Sequence, residues 1–119
     1  MGKTVVIGAS GNPERYSYRA AVSLSKYGEE VVAIGIKEGM ILNIPITKEK
    51  KPIENVDTVT MYVGAQNQPG WYDYILSLKP KRIIFNPGAE NEEFAQMATK
   101  NGIEVMEACT LVMLSIGNY

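Results

Sequence analysis

Apolar residues of this chain are concentrated in five short runs that are separated by polar and glycine-rich segments. The runs cover residues 4–7, 31–36, 58–63, 82–85 and 103–107. The run at 31–36 is apolar without alternation, which is typical of a strand that is buried on both faces of a parallel sheet. Five strands of one sheet are therefore predicted.

Helical patterns fill most of the remaining chain. The predicted helices cover residues 17–27, 71–78, 92–100 and 108–116. Gly28 stands where a glycine commonly ends a helix, and Pro80 stops the second helix. Asn91 can cap the third helix, since asparagine is strongly preferred at that position. Strands that alternate with helices indicate an α/β protein.

The segment 38–57 shows neither pattern, and we expect an extended connection with a short hydrophobic tuck at Ile41, Leu42, Ile44 and Ile46. With this reading, residues 1–119 form one Rossmann-like domain. Its doubly wound parallel sheet would have about five strands in the order 3-2-1-4-5, with helices on both faces. Ligands of such sheets bind at the carboxyl ends of the strands, here between the first and fourth strands.

The turn after the first strand is the strongest candidate for a binding site. A β-branched run, a turn rich in Gly, Ser, Asn and Pro, and then a helix present backbone N–H groups and a helix N-terminus to a phosphate. The residues of this turn are Gly8, Ala9, Ser10, Gly11, Asn12 and Pro13. Their spacing matches neither G-x-G-x-x-G nor a P-loop, which argues against an ordinary NAD fingerprint and against a nucleoside triphosphatase.

Basic residues flank the candidate phosphate turn. Arg15 and Arg19 could each add a charge-assisted contact, although an exposed arginine needs no ligand. Ser17 is a candidate N-cap whose hydroxyl could instead reach a phosphate. Lys37 follows the second strand, where a dinucleotide-binding fold would carry an acidic residue, and suits a phosphorylated ribose or a pyrophosphate.

Two further strand exits are candidate walls of the same pocket. Gly64 opens the turn that leaves the third predicted strand. Asn86, Pro87 and Gly88 form the exit of the fourth. Because the carboxyl ends of parallel strands share one edge of the sheet, these exits are expected to lie beside the first turn.

Composition limits the function further. Twelve basic and thirteen acidic residues give a net charge of −1, so no overall basic field favours nucleic acid or anionic membrane. The first residues run straight into a strand and no apolar stretch is long enough to span a bilayer, so a cytoplasmic protein is expected.

Histidine is absent from the sequence, which removes the commonest general base and the commonest metal ligand. The single cysteine, Cys109, can form neither an internal disulfide nor a multi-thiolate metal site, and we expect a small buried hydrophobe there. No catalytic residue and no metal site are predicted. A binding module is favoured over an enzyme.

The residues also carry a family resemblance. The segment 6–15, followed by Ser17, Tyr18 and Arg19, resembles the phosphate turn of the small stand-alone CoA-binding proteins. Those proteins are similar to the N-terminal domain of the succinyl-CoA synthetase α subunit. The resemblance continues through residues 88–93 and ends in 107–110, so it covers nearly the whole chain.

This resemblance implies a Rossmann-like fold that binds coenzyme A or an acyl-CoA. It implies that residues 8–13 cradle the pyrophosphate, that Ser17, Tyr18 and Arg19 support it, and that Lys37 lies near the adenosine end. An NAD(H)-binding redox module or dehydrogenase-like enzyme remains an alternative, as does an acyl-handling enzyme that uses Cys109. The sequence leaves open whether the domain pairs with itself or with a catalytic partner protein.

Overall fold

The computed structural model describes residues 2–119, and within them a seven-stranded sheet is covered by four helices. The elements in chain order are β1 (Lys3–Ile7), α1 (Tyr16–Lys26), β2 (Glu30–Ile34), β3 (Gly39–Ile41), β4 (Ile44–Thr47), β5 (Thr58–Met61), α2 (Tyr72–Leu78), β6 (Arg82–Phe85), α3 (Glu92–Lys100), β7 (Glu104–Glu107) and α4 (Thr110–Ser115). Two short 3₁₀ turns, Ala65–Asn67 and Pro69–Trp71, lead into α2. The predicted α/β architecture is confirmed.

The helices form one layer on each face of the sheet. Side chains of β1 alternate between the faces, so Val5 and Ile7 lie in the cluster with α2 and α3. Val6 lies in the other cluster, with residues of α1 and α4 such as Leu24 and Leu114. Both clusters are shielded from solvent, since Val5, Val6 and Leu24 are fully buried. The expectation of helices on both faces agrees with this arrangement.

The predicted strand order is wrong. The sheet runs β3-β4-β2-β1-β5-β6-β7, so the third predicted strand, β5, pairs with β1 and not with β2. The fourth predicted strand, β6, pairs with β5 and does not touch β1 in the sheet. The switch point predicted between the first and fourth strands therefore lies between β1 and β5.

A hairpin in the segment 38–57 causes this difference. Instead of an extended connection, β3 and β4 pair antiparallel, and β4 then pairs parallel with β2, with Ala33 opposite Ile46. Ile41 and Ile46 are buried because the hairpin packs them against α1 and β2. Since β4 occupies the free side of β2, the next strand has to cross to the other side of β1.

Candidate functional site

The candidate site lies at the carboxyl edge of the sheet, where the chain leaves β1 and β5 in opposite directions. The chain passes from β1 into α1 on one face and from β5 into α2 on the other. A crevice opens at such a topological switch point in α/β sheets. The exits of β2 and β6 flank it, because these strands neighbour β1 and β5.

The turn after β1 is fixed to both neighbouring strands at its first residue. Gly8 has φ of +93°, and a Cβ there would lie 3.1 Å from the carbonyl carbon of Tyr62. The N–H groups of Gly8 and Ala9 both donate to the carbonyl oxygen of Ile34, at 2.9 and 3.0 Å. Only glycine adopts this φ without strain, so the start of the turn has one geometry.

Gly35 holds the same turn from the side of β2, and the sequence reasoning missed it. A Cβ on Gly35 would lie 2.3 Å from the carbonyl oxygen of Ala9, a distance that no side chain tolerates. The signal was present, because a lone glycine in a strand-like run often marks the close approach of another backbone. Gly35 therefore lets the phosphate turn pack directly on the end of β2.

Asn12 organises the middle of the turn. Its N–H donates to Ser10 Oγ at 3.1 Å, and its Oδ1 accepts from the N–H of Glu14 at 2.9 Å. Its carbonyl oxygen accepts from the N–H of Arg15 at 3.0 Å. These local bonds set the turn before any ligand binds. The turn is exposed along this stretch, since residues 11–16 are open to solvent.

Gly11 differs from Gly8 in its backbone conformation and in its surroundings. Its φ lies outside the left-handed region, and a Cβ would meet the carbonyl oxygen of Met40 at an ordinary 3.5 Å. The backbone conformation at Gly11 therefore does not require glycine. The hairpin residue Met40 lies beside this part of the turn instead.

Several backbone N–H groups of this region have no internal partner. Within residues 2–119, no hydrogen bond is formed by the N–H of Ser10 or Gly11. The helix α1 begins at Tyr16 with Arg15 in the N-cap position, and no side chain caps it. The first N–H groups of α1 therefore also await an acceptor, as at any uncapped helix start.

Ser17 does not cap α1, so that prediction is wrong. The helix starts one residue earlier than expected, and Ser17 lies in its first turn with only 4% of its surface exposed. Tyr18, the next residue, is half-buried and packs with the α1 and α4 cluster. Both residues support the start of the helix.

The three predicted cations remain exposed at this edge. Arg15 is exposed beside the uncapped helix start, and the guanidinium of Arg19 lies 5.6 Å from the ring centre of Tyr16. Lys37 is exposed just after β2. The first turn of α1 has no acidic residue, and the two arginines outnumber the one acidic side chain beside them in the sequence, Glu14. An anion would be favoured here by both the side chains and the helix dipole.

The exits of β5 and β6 form the opposite wall. Gly64 starts a 3₁₀ turn in extended conformation, with φ of −62° and ψ of 151°. Pro87 and Gly88 are exposed, and the N–H of Gly88 donates to the carboxylate of Glu90 at 2.9 Å. The structure thus brings both exits to the same edge as the phosphate turn.

Asn86 serves the framework below this wall. Its side chain is 1% exposed, and its Nδ2 donates to Thr60 Oγ1 at 2.7 Å and to the carbonyl oxygen of Met61 at 2.9 Å. Its Oδ1 accepts from the N–H of Thr110 at 2.9 Å. These bonds use both donors of the carboxamide and tie β6 to β5 and to the start of α4.

Tyr62 lies just after β5, and Cys109 lies close to it. Burial raises the pKa of Tyr62 to about 12, while the neighbouring hydroxyls of Thr110 and Thr60 lower it by less. The Tyr62 hydroxyl is buried and has no hydrogen-bond partner within residues 2–119. Cys109 immediately precedes α4. It is half-buried, whereas the sequence predicted a buried residue.

Within residues 2–119, no three metal-ligating side chains lie together. None of the four helices there has the length and apolar character needed to cross a membrane.

Comparison with known proteins identifies the family. A family model described as CoA binding domain matches residues 2–115. No curated protein matches the sequence. A crystal structure of a protein described as uncharacterized is 51% identical, with a TM-score of 0.98 over 100% of this chain and 98% of the other.

More distant structures share the fold. A hypothetical protein from Pyrococcus horikoshii OT3 is 17% identical, with a TM-score of 0.86 over 95% of this chain and 81% of the other. A dinucleotide-forming acetyl-coenzyme A synthetase 1 from Ca. Korarchaeum cryptofilum, solved with phosphate and ADP, is 19% identical. Its TM-score is 0.72 over 90% of this chain and 25% of the synthetase. Because the family match spans residues 2–115, the chain belongs to the CoA binding domain family.

Proposed function

We propose that this chain binds coenzyme A or an acyl-CoA and performs no chemistry of its own. In this proposal the turn of residues 8–13 and the N-terminus of α1 hold the pyrophosphate. The observation that carries it is the set of backbone N–H groups at Ser10, Gly11 and the start of α1 that lack an internal acceptor. They lie at the switch point of the sheet, where α/β proteins bind nucleotides.

The charges around the turn support an anionic ligand. Backbone N–H groups and the positive end of a helix dipole together form an anion site. Arg15 and Arg19 are close enough in sequence and exposed enough to add charge-assisted contacts. A pyrophosphate would be held mainly by backbone groups, which explains why the turn needs glycine and small residues more than particular side chains.

The rest of the cofactor would follow the edge of the sheet in both directions. We place the adenosine end toward Lys37 after β2, and the pantetheine arm along the crevice toward residues 86–89 after β6. A binding role without catalysis is supported by the absence of histidine from the sequence. The protein would carry the cofactor in the cytoplasm, alone or with a catalytic partner.

Calorimetric titration with CoA, dephospho-CoA, NAD and ADP tests the proposal. CoA is expected to bind more tightly than dephospho-CoA by about tenfold, if the Lys37 ammonium meets the 3′-phosphate. Lys37→Ala should remove this difference. Lys26→Ala, which removes an exposed lysine at the far end of α1, is the matched control and should leave it unchanged.

Two results would contradict the proposal at different levels. Equal affinity of the wild-type protein for CoA and dephospho-CoA would remove the role of Lys37 and leave the pyrophosphate site in place. Tight binding of NAD with no binding of CoA would support the redox alternative and reject the proposed cofactor.

A further inference from the structure

Gln68 joins the two loops on the far side of the crevice from the phosphate turn. This glutamine follows the first 3₁₀ turn after β5 and is completely buried. Its Nε2 donates to the carbonyl oxygen of Val63 at 2.8 Å and to that of Ala89 at 2.7 Å. One side chain therefore connects the exit of β5 with the exit of β6.

Asn91 holds Gln68 in this orientation. Its Nδ2 donates to Gln68 Oε1 at 2.9 Å and to the Tyr72 hydroxyl at 2.9 Å, while its Oδ1 caps α3 by accepting from the N–H of Phe94 at 3.1 Å. The Tyr72 hydroxyl donates in turn to a carboxylate oxygen of Glu93 at 3.0 Å. Each donor in this hydrogen-bonded network has an acceptor, so the side-chain amides of Gln68 and Asn91 each have a single orientation.

Packing between α2 and α3 does not require these hydrogen bonds. The rings of Tyr72 and Phe94 are stacked with centres 4.5 Å apart, and Phe94 meets Phe85 edge-on at 6.0 Å. Apolar contacts therefore already join the two helices. Buried polar networks add a fixed arrangement of the groups they contact, and here those groups are backbone carbonyls of two loops.

The two loops lie against the proposed cofactor site. Val63 precedes Gly64, and its side chain would lie 3.1 Å from a Cβ on Gly8, so the exit of β5 touches the phosphate turn. Ala89 follows the exposed Gly88 at the exit of β6. Moving either loop would reshape the side of the crevice that faces the pantetheine arm.

We propose that Gln68 and Asn91 are positioning residues that hold the exits of β5 and β6 in the arrangement needed by the pantetheine arm of CoA. This inference rests on the proposed function. It assigns no contact between these two side chains and the cofactor, since Gln68 is buried. They act through the carbonyls of Val63 and Ala89.

Asn91→Asp separates positioning from helix capping. Aspartate caps a helix about as well as asparagine, but an ionised aspartate donates no hydrogen bond to Gln68 or Tyr72. In the free variant, amide hydrogen exchange across residues 62–66 and 86–90 is expected to accelerate about tenfold. CoA affinity should fall about tenfold, whereas affinity for adenosine 3′,5′-bisphosphate, which lacks pantetheine, should stay within about twofold.

Tyr72→Phe is the matched control, because it removes the two hydrogen bonds of the Tyr72 hydroxyl, from Asn91 and to Glu93, and leaves the bond between Asn91 and Gln68. It should change CoA affinity by less than about threefold. Gln68→Met, which keeps the length of the side chain without its polar groups, should reproduce the effects of Asn91→Asp.

Two outcomes would overturn the inference. Unchanged exchange in both loops of Asn91→Asp and Gln68→Met would show that the network does not hold them. An equal loss of affinity for CoA and for the bisphosphate would indicate general destabilisation. If the wild-type protein bound neither ligand, the proposed function would fail, and the exchange data would still show whether the network fixes the loops.

Discussion

The helices α1 and α3 begin at the same edge of the sheet, yet their N-termini are built in opposite ways. Asn91 caps α3, and Glu92 and Glu93 in its first turn complement the helix dipole. At α1 the N-cap is Arg15, no side chain caps the helix and its first turn has no acidic residue. The side chain of Asn91 satisfies the N–H of Phe94 at the start of α3, whereas no side chain satisfies an N–H at the start of α1.

The hydroxyl groups of two half-buried tyrosines repeat the contrast. The hydroxyl of Tyr72, next to α3, accepts from Asn91 and donates to Glu93. The hydroxyl of Tyr62, behind the turn that leads to α1, has no partner within residues 2–119. The polar groups around α3 hold a framework together, while those around α1 are left incomplete. We expect the incomplete region to bind and the complete one to support it.

Gly35→Ala should break the α1 side most severely. A Cβ would lie 2.3 Å from the carbonyl oxygen of Ala9, so the phosphate turn or β2 has to move. We expect a loss of about 3 kcal/mol in the free energy of unfolding, measured by urea denaturation, together with loss of CoA binding. Gly11→Ala is the control, since its Cβ would make only an ordinary contact at 3.5 Å.

Gly11→Ala should keep its stability within about 0.5 kcal/mol of wild type. If Gly35→Ala were equally stable, the close packing of the turn on β2 would be wrong.

Arg15→Asp should make α1 resemble α3. The aspartate would cap the helix and raise the free energy of unfolding by about 0.5 to 1 kcal/mol in the free protein. It would also replace a cation with an anion beside the pyrophosphate, so CoA affinity should fall about a hundredfold. Calorimetry and thermal denaturation measure the two effects, and Arg15→Ala, which removes the charge without adding a cap, should lose less affinity.

Unchanged CoA binding by Arg15→Asp would contradict the proposal that the start of α1 holds the phosphates.

Tyr62→Phe should alter the response to alkaline pH. Burial raises the pKa of Tyr62 to about 12 from an ordinary value of 10.0, so the folded state retains the proton more strongly than the unfolded state. This stabilisation is complete below pH 10 and is lost between pH 10 and 12, by about 2 kcal/mol. The variant lacks this loss. The difference between wild type and variant in the free energy of unfolding, measured by urea denaturation at each pH, separates the contribution of Tyr62 from those of the other tyrosines.

At neutral pH, Tyr62→Phe should be as stable as wild type or slightly more stable, because the hydroxyl it removes is unpaired. If the free energies of unfolding of the two proteins changed in parallel from pH 9 to 12, the raised pKa of Tyr62 would be refuted.

Much of the fold could be predicted from local patterns in the sequence. Apolar runs predicted five of the seven strands, all except the hairpin strands β3 and β4. The capping preference of asparagine predicted the start of α3 at Asn91. The hairpin was missed because its signals are atypical. Pro45 interrupts a four-residue strand, and Leu42, with φ of +55°, takes a left-handed turn position usually held by Gly or Asn. The strand order was wrong as a result.

The candidate site could be predicted only in part, for a related reason. The turn after β1 has a local signature, so its residues and its place at the strand ends followed from the sequence. Gly35 and Gln68 contact residues far away in the chain, namely Ala9 and Ala89, and such contacts leave little trace in a local pattern. Ser17 looked like a cap because serine is favoured there, but the N-cap is Arg15, two residues earlier.

A crystal structure of the protein grown with saturating CoA tests the central claim most directly. The account predicts that the pyrophosphate lies within hydrogen-bonding distance of the N–H groups of Ser10, Gly11 and the first turn of α1. Well-ordered CoA bound elsewhere, with those N–H groups still lacking an acceptor, would contradict it.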